Sequence, residues 1–364
     1  MEKAKSFKNE KFNNKLTAYF LKLDQKLKDH PGLQVLVWSD KLGIDYKFPI
    51  GTESKPYHLA SIGKVFTATL AFLLIERGQL SMDEKISKHL PRTQLNGLFV
   101  FEGIDYQDQV TVGDLIGHMS GVADYFDDPV SNGLHFSKEV VTNPETRWTP
   151  SMLLDFSRQQ QKAVGKPGEI YHYSDTGYVL LGLLIEAITG KPFHQSLQEE
   201  FFVPLGMNDT YLMFYGEPMH QPRKQIEKFW LNGTEVSSFS SVSCDWAGGG
   251  IVSTTTDLLK FQQALRQGRL IQRSTIQSMT VCPNKFQPGI YYGLGMMEIH
   301  FEDFFFLLKG FPRVTGHIGV LSTHMFYDES SETHIIMNFG NTAHMTASFK
   351  ALIEILKDMK EIAT

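Results

Sequence analysis

Hydrophobic positions recur with a helical period from about 12 to 28, and the segment GLQVLVWSDKLGIDYKFPIG then alternates as two strands should, joined through the turn formers Ser39, Asp40 and Gly43. From Ser61 the pattern changes. SIGKVFTATLAFLLIERG is apolar on nearly every face, which predicts a buried helix ending at Gly78, whose missing Cβ suits the left-handed residue that closes many helices. Between about 83 and 279 short helical patterns alternate with Gly- and Pro-punctuated loops, including HMSGVADYF, VGKPGEIYHYSDTGY and the glycine run 248–250. Strand patterns return in IYYGLGMMEIHF, FFFLLKG, STHMFYDE and THIIMNFG, and a last helical period runs from about 345 to 360.

Strands at both ends bracketing a helical middle predict an α+β chain: one catalytic unit over residues 1–364, with an α/β part at 8–82 and 280–362 and a helical insert at 83–279. No repeat or linker separates these parts, so a cleft between them is the expected binding place for a small molecule. With 364 residues, 42% of them hydrophobic, the chain can bury a large core. A net charge of −5 without a basic block offers nothing to phosphate backbones or anionic lipid, so neither nucleic acid nor a membrane surface is an expected partner. A small, uncharged or mildly polar molecule fits better.

The longest apolar stretch, 66–75, is too short to span a bilayer, and the charged N-terminus lacks the apolar core of a secretory signal. The chain as it stands therefore reads as cytoplasmic, or as exported if a leader has been removed. Cys244 and Cys282 match no paired-CxxC zinc framework and read as two reduced, structural thiols. His118, His172, His194, His324 and His344 show no metal-ligand spacing, and no cofactor or metal is expected.

Chemistry begins at Ser61-Ile62-Gly63-Lys64, which places a serine and a lysine on one face of a helix start. The positive end of the helix dipole and an apolar setting disfavour the lysine cation, so Lys64 is a candidate to take the Ser61 proton. Such a four-residue pattern arises about once by chance in a chain of this size. Two further elements accompany it. Tyr173-Ser174-Asp175 precedes the apolar run that begins at Tyr178, and a tyrosine held near Lys64 could shuttle protons. Thr315-Gly316-His317-Ile318-Gly319-Val320 reads as a turn and strand edge whose glycines let a substrate approach the backbone.

In this order the three elements resemble the serine β-lactamase and penicillin-binding-protein superfamily, in particular its class C-like esterases and D-peptidases, with motifs S-x-x-K, Y-x-N and K-T-G or H-x-G. LIGHMSGV, YHYSDTGYVLLGLLIEAITGKP, FVPLGMNDT, WAGGGIVSTTTDLLKF and YYGLGM are similar to further segments of that family, extending the resemblance over roughly 30 to 345. It implies a β-lactamase/transpeptidase-like fold: an antiparallel sheet flanked by N- and C-terminal helices, with the active-site cleft between sheet and helical insert. It also implies Ser61 as acylated nucleophile, Lys64 as its partner, Tyr173 as general acid and base, and His317 at the third-motif lysine position. The oxyanion hole would be the N–H groups of Ser61 and Val320, beside Gly319, and Tyr125 would line the acyl pocket.

Two departures from the pattern narrow the substrate. Asp175 stands where the family usually carries Asn, losing an amide donor and opposing Lys64 as a base if ionised. His317 and Ile318 replace Lys and Thr, removing a permanent cation and a hydroxyl that would grip a substrate carboxylate. Hydrolysis of an ester or another small uncharged acyl compound is therefore expected ahead of D-Ala-D-Ala carboxypeptidase, D-aminopeptidase or β-lactamase action. A non-catalytic protein that binds an acyl ligand or a β-lactam is the alternative of another class. The oligomeric state is left open.

Overall fold

The computed structural model describes residues 2–363, with side chains from 9 to 362. Eight antiparallel strands form the main sheet: β1 (Gln34–Ser39), β2 (Ile44–Phe48), β3 (Asn284–Gln287), β4 (Ile290–Tyr292), β5 (Met297–Ile299), β6 (Val314–Gly319), β7 (Thr323–Asp328) and β8 (Thr333–Asn338). Their order is β3-β4-β5-β6-β7-β8-β1-β2, so the chain's first hairpin adds to the strands formed at its end. Pairing of β1 with β8 joins the termini, with Leu36 opposite Ile336.

Side-chain alternation explains why both sheet faces are covered. Val35 and Val37 of β1, with Ile335 and Met337 of β8, enter a core shared with Phe12, Leu16 and Phe20 of helix α1 (Glu2–Asp24) and with Leu352, Ile355 and Leu356 of the terminal helix. Leu36, Ile336 and Met325 point the other way, into the larger core built on helix α2 (Gly63–Glu76). All of α2 is buried except Leu73, Ile75 and Glu76, and it closes as its sequence predicts, with Gly78 at φ 70°. Helix α3 (Asp175–Thr189) and helix α4 (Thr255–Arg266) pack around it, with Phe66 and Phe261 stacked at 3.7 Å between ring centroids. The chain ends in helix α5 (Met345–Ala363), which lies against α1.

The sheet departs from the sequence expectation in one place. FFFLLKG is not a strand: its centre is the single 3-10 turn Phe306–Leu308, and Phe305 and Phe306 are 51% and 71% exposed. The third motif keeps the strand edge its sequence suggests: β5 pairs with β6 only as far as Gly316, and His317, Ile318 and Gly319 pair with β7 alone. The first helix also ends four residues before 28, at Asp24. Helix α4, although it falls within 83–279, lies on the main sheet: Gln262 meets His334 of β8 at 2.9 Å, and Arg266 donates to the Thr315 hydroxyl of β6 at 2.6 Å.

Candidate active site

Ser61 sits in a 3-10 turn, Ala60–Ile62, that leads directly into α2. The turn is wedged between two backbones. The end of β6 presses on one side, where a Cβ at Gly319 would fall 2.6 Å from the Leu59 carbonyl and 2.9 Å from Ala60. On the other side Gly249 lies so close that a Cβ there would be 2.7 Å from the Ala60 carbonyl carbon. Ala60 itself is held at φ 49°, a conformation few non-glycine residues adopt, and its N–H donates to His58 Nδ1 at 3.2 Å. These constraints pin the serine where sheet and helical insert meet.

Lys64 is fully buried one helical turn on. Its Nζ donates to Ser61 Oγ at 3.1 Å, to the Gly248 carbonyl at 2.9 Å and, in a closer contact, to the Asp175 carboxylate. Three hydrogens meeting three oxygens satisfy an ammonium completely. The carboxylate comes from the first turn of α3, where Ser174 caps the helix by accepting the Gly177 N–H and Asp124 accepts the Asp175 N–H at 2.9 Å.

Tyr173 lies over the same spot, its ring 4.9 Å from Lys64 Nζ and its hydroxyl within hydrogen-bonding reach of Ser61. Burial first, and Asp175 second, push this phenol well above its ordinary value, so it rests protonated. Its ring is flanked by His118 at 4.3 Å and Phe286 at 5.0 Å, with His317 further away at 6.5 Å. His317 Nδ1 meets the Ile318 carbonyl at 2.6 Å, which requires the proton on that nitrogen; burial and Lys64 lower the ring to about 3, so it stays neutral and Nε2 keeps a lone pair. That Nε2 is buried and has no hydrogen-bond partner.

A cavity of about 210 Å³ opens over Ser61. Its lining mixes Tyr173, Asp127, Asp175 and Asp245 with the apolar side chains of Phe126, Phe286, Ile290, Met297, Ile318, Met345 and Phe349. Gly319 and the 40% exposed Val320 complete its rim. A serine held by a buried lysine, a protonated tyrosine and a pocket open over the serine suit acyl transfer, and the β-lactamase family model matches residues 22–353. The chain belongs to the β-lactamase family.

Among its relatives, penicillin-binding protein 4* of Bacillus subtilis (strain 168) is 29% identical over 293 residues, covering 75% of this chain and 57% of that protein. The chain thus spans little more than half the length of that curated relative. Solved structures agree on the fold over nearly the whole chain. The D-amino acid amidase of Ochrobactrum anthropi SV3, in complex with D-phenylalanine, superposes with a TM-score of 0.75 at 23% identity, covering 96% of this chain and 99% of that one. EstCE1, a hydrolase with promiscuous acyltransferase activity, superposes at 0.73 with 19% identity, covering 98% and 99%.

Of the nine residues singled out in the sequence, Ser61, Tyr173, Asp175, Ile318, Gly319 and Val320 line the cavity. Lys64 lies beneath it in contact with Ser61 and Asp175, and His317 is buried behind Tyr173. Tyr125 is the exception. Its ring is 1% exposed, packs edge-on against Phe136 at 4.8 Å and donates its hydroxyl to the Cys244 carbonyl at 2.8 Å, so it is spent on the core and does not reach the cavity. Phe126 and Asp127, the next two residues, line it instead. Sequence reasoning also passed over Asp245 and the Gly248 carbonyl. Asp245 stands three residues before the glycine run, a position at which acids are too common to be noticed.

Proposed function

We propose that the chain is a serine hydrolase that forms an acyl-enzyme at Ser61 and releases it to water, acting on a small ester or amide. The observation that carries this is Lys64 Nζ at 3.1 Å from Ser61 Oγ, beneath a cavity large enough for a small acyl group. Lys64 takes the Ser61 proton as Oγ attacks the carbonyl carbon. The N–H groups of Ser61 and Val320 hold the developing oxyanion, which typically lowers a barrier by about 3 kcal/mol per donor. Tyr173, kept as a phenol by burial and Asp175, protonates the leaving group and afterwards accepts a proton from the attacking water.

Uncharged acyl compounds suit this site better than penicillins or D-Ala-D-Ala peptides. A substrate carboxylate would meet an apolar Ile318 where the family offers Thr, and His317, buried and neutral outside the cavity lining, supplies no cation in place of Lys. Intact-mass analysis of wild type and Ser61→Ala, after exposure to an activated aryl ester, a fluorophosphonate and a penicillin, tests the proposal. Adducts on wild type alone, with ester turnover, support a hydrolase. A stable penicilloyl adduct without turnover would point to a penicillin-trapping protein, and no adduct from any probe would point to a non-catalytic binder.

A further inference from the structure

Tyr173 reaches Ser61 from a loop, and a single residue fastens that loop on both sides of it. The His118 carbonyl accepts the His172 N–H at 2.8 Å, and His118 Nδ1 accepts the Ser174 N–H at 3.0 Å. Between these two bonds the imidazole lies against the Tyr173 ring, with 4.3 Å between centroids and 33° between planes. The Ser174 hydroxyl does not help hold the tyrosine, because it is committed to the Gly177 N–H and the Ala123 carbonyl. Tyr292 at 4.6 Å and Tyr178 at 5.0 Å enclose the rest of the imidazole, which is buried.

Two features disfavour a histidine kept only for packing. Its backbone is left-handed at φ 57°, where a residue with a Cβ is strained. With Nδ1 accepting, the ring proton sits on Nε2, which is buried and has no hydrogen-bond partner. Glycine would avoid the first cost and an apolar side chain the second, but neither could accept the Ser174 N–H. Burial first, and Lys64 second, lower the ring well below the ordinary histidine value, so Nδ1 keeps its lone pair as pH falls.

We propose that His118 is a positioning residue for Tyr173, holding the phenol where it can protonate a leaving group departing from the Ser61 adduct. This rests on the hydrolase reading of Ser61 and on the role given there to Tyr173. His118 moves no proton itself. A general acid contributes only while its proton points at the departing oxygen, and a displacement of about 1 Å can remove roughly a hundredfold in rate.

The experiment measures kcat/KM for p-nitrophenyl acetate and ethyl acetate, which share an acetyl-enzyme, so that the comparison isolates acylation. p-Nitrophenolate leaves without a proton, whereas ethoxide needs one. His118→Ala should lose roughly a hundredfold on ethyl acetate but less than about fivefold on p-nitrophenyl acetate, and Tyr173→Phe should show the same bias. Adding His118→Ala to Tyr173→Phe should cost little more. His118→Asn should recover most of the loss, since its side-chain oxygen can accept the Ser174 N–H and asparagine tolerates the left-handed region. His118→Gly removes the acceptor while relieving the backbone, which guards against misfolding of His118→Ala, and fluorophosphonate labelling of Ser61 confirms an intact nucleophile in each variant. Equal losses on the two esters, additive losses in the double variant, or an asparagine variant as impaired as alanine would overturn the positioning role and leave the hydrolase standing. Tyr173→Phe without the bias would overturn the role of Tyr173 and this proposal with it. Wild type with neither label nor turnover would overturn the hydrolase reading as well.

Discussion

Restoring the family's amide at position 175 should make the enzyme faster. Lys64 Nζ donates to Ser61, to the Gly248 carbonyl and to the Asp175 carboxylate, and to act as a base it must first give up one of those hydrogens. The carboxylate is the partner that holds the ammonium most strongly, since a hydrogen bond to a charged group contributes about 1.5–3 kcal/mol against about 1 for a neutral one. Asp175→Asn leaves the side-chain shape and an accepting oxygen in place, so the release is the difference, roughly 1–1.5 kcal/mol. At about 1.4 kcal/mol per decade, acylation at neutral pH should accelerate about fivefold to tenfold. Stopped-flow release of p-nitrophenolate from an activated ester gives the acylation rate directly. A hundredfold loss in Asp175→Asn would refute the reasoning, because it would make Asp175 the proton acceptor for Lys64.

Three further outcomes follow from named contacts. Gly319→Ala drives a Cβ to 2.2 Å from Thr323 Oγ1 and 2.6 Å from the Leu59 carbonyl, so the end of β6 must move off the Ser61 turn; fluorophosphonate labelling should slow by about a hundredfold, with about 1–3 kcal/mol lost in urea unfolding. Tyr125→Phe removes the hydroxyl that satisfies the buried Cys244 carbonyl, which should cost about 1–2 kcal/mol and appear in Tm rather than in KM. Acid should unfold the protein early. Burial lowers His58 to about 4 and His317, His324 and His334 to about 3. Below about pH 6.5 the unfolded chain therefore binds protons that the folded chain refuses, and stability falls with pH by roughly 1.4 kcal/mol per unit for each such ring. Asp245 acts oppositely: it keeps its proton up to about 7 when folded, so it costs stability as pH rises from about 4 to that value. Circular-dichroism melts from pH 8 to 4 should show the histidine trend dominating, and a flat Tm below pH 6.5 would contradict it.

The parts legible in the sequence are those that local pattern dictates. The first hairpin, the all-apolar helix after Ser61 and the closing helix each depend on residues next to one another, and all three form. The Ser61–Lys64 pair was legible for the same reason, since three residues on a helix set its geometry. Elsewhere the pattern was ambiguous or the deciding partner remote. FFFLLKG has a strand's composition but finds no partner strand, whereas the third motif finds β7 along its length and β5 only as far as Gly316. The run after the glycines shows the limit even for a local motif. Thr254 caps α4 through the Asp257 N–H as its sequence suggests, but the Asp257 carboxylate turns away to accept from Asp209 N–H and the Thr210 hydroxyl, completing half a capping box.

Tyr125 and Asp127 show why the pocket was the hardest part to read. They stand two residues apart in one loop, and the motif SGVADY directs attention to the tyrosine. Which of them reaches the cavity is decided elsewhere: Phe136 and the Cys244 carbonyl capture the tyrosine, and Asp124, fixed by its bonds to three backbone N–H groups, turns the loop so that Phe126 and Asp127 face Ser61. The acid that results would be an ordinary surface residue in most loops. The same lining includes Asp245, brought in from 118 residues away beside the glycine run packed against α2. The Ser61–Lys64 pair is thus set by neighbours in sequence and the lining of the pocket above it by neighbours in space, so one family scaffold can keep the pair while the pocket around it changes.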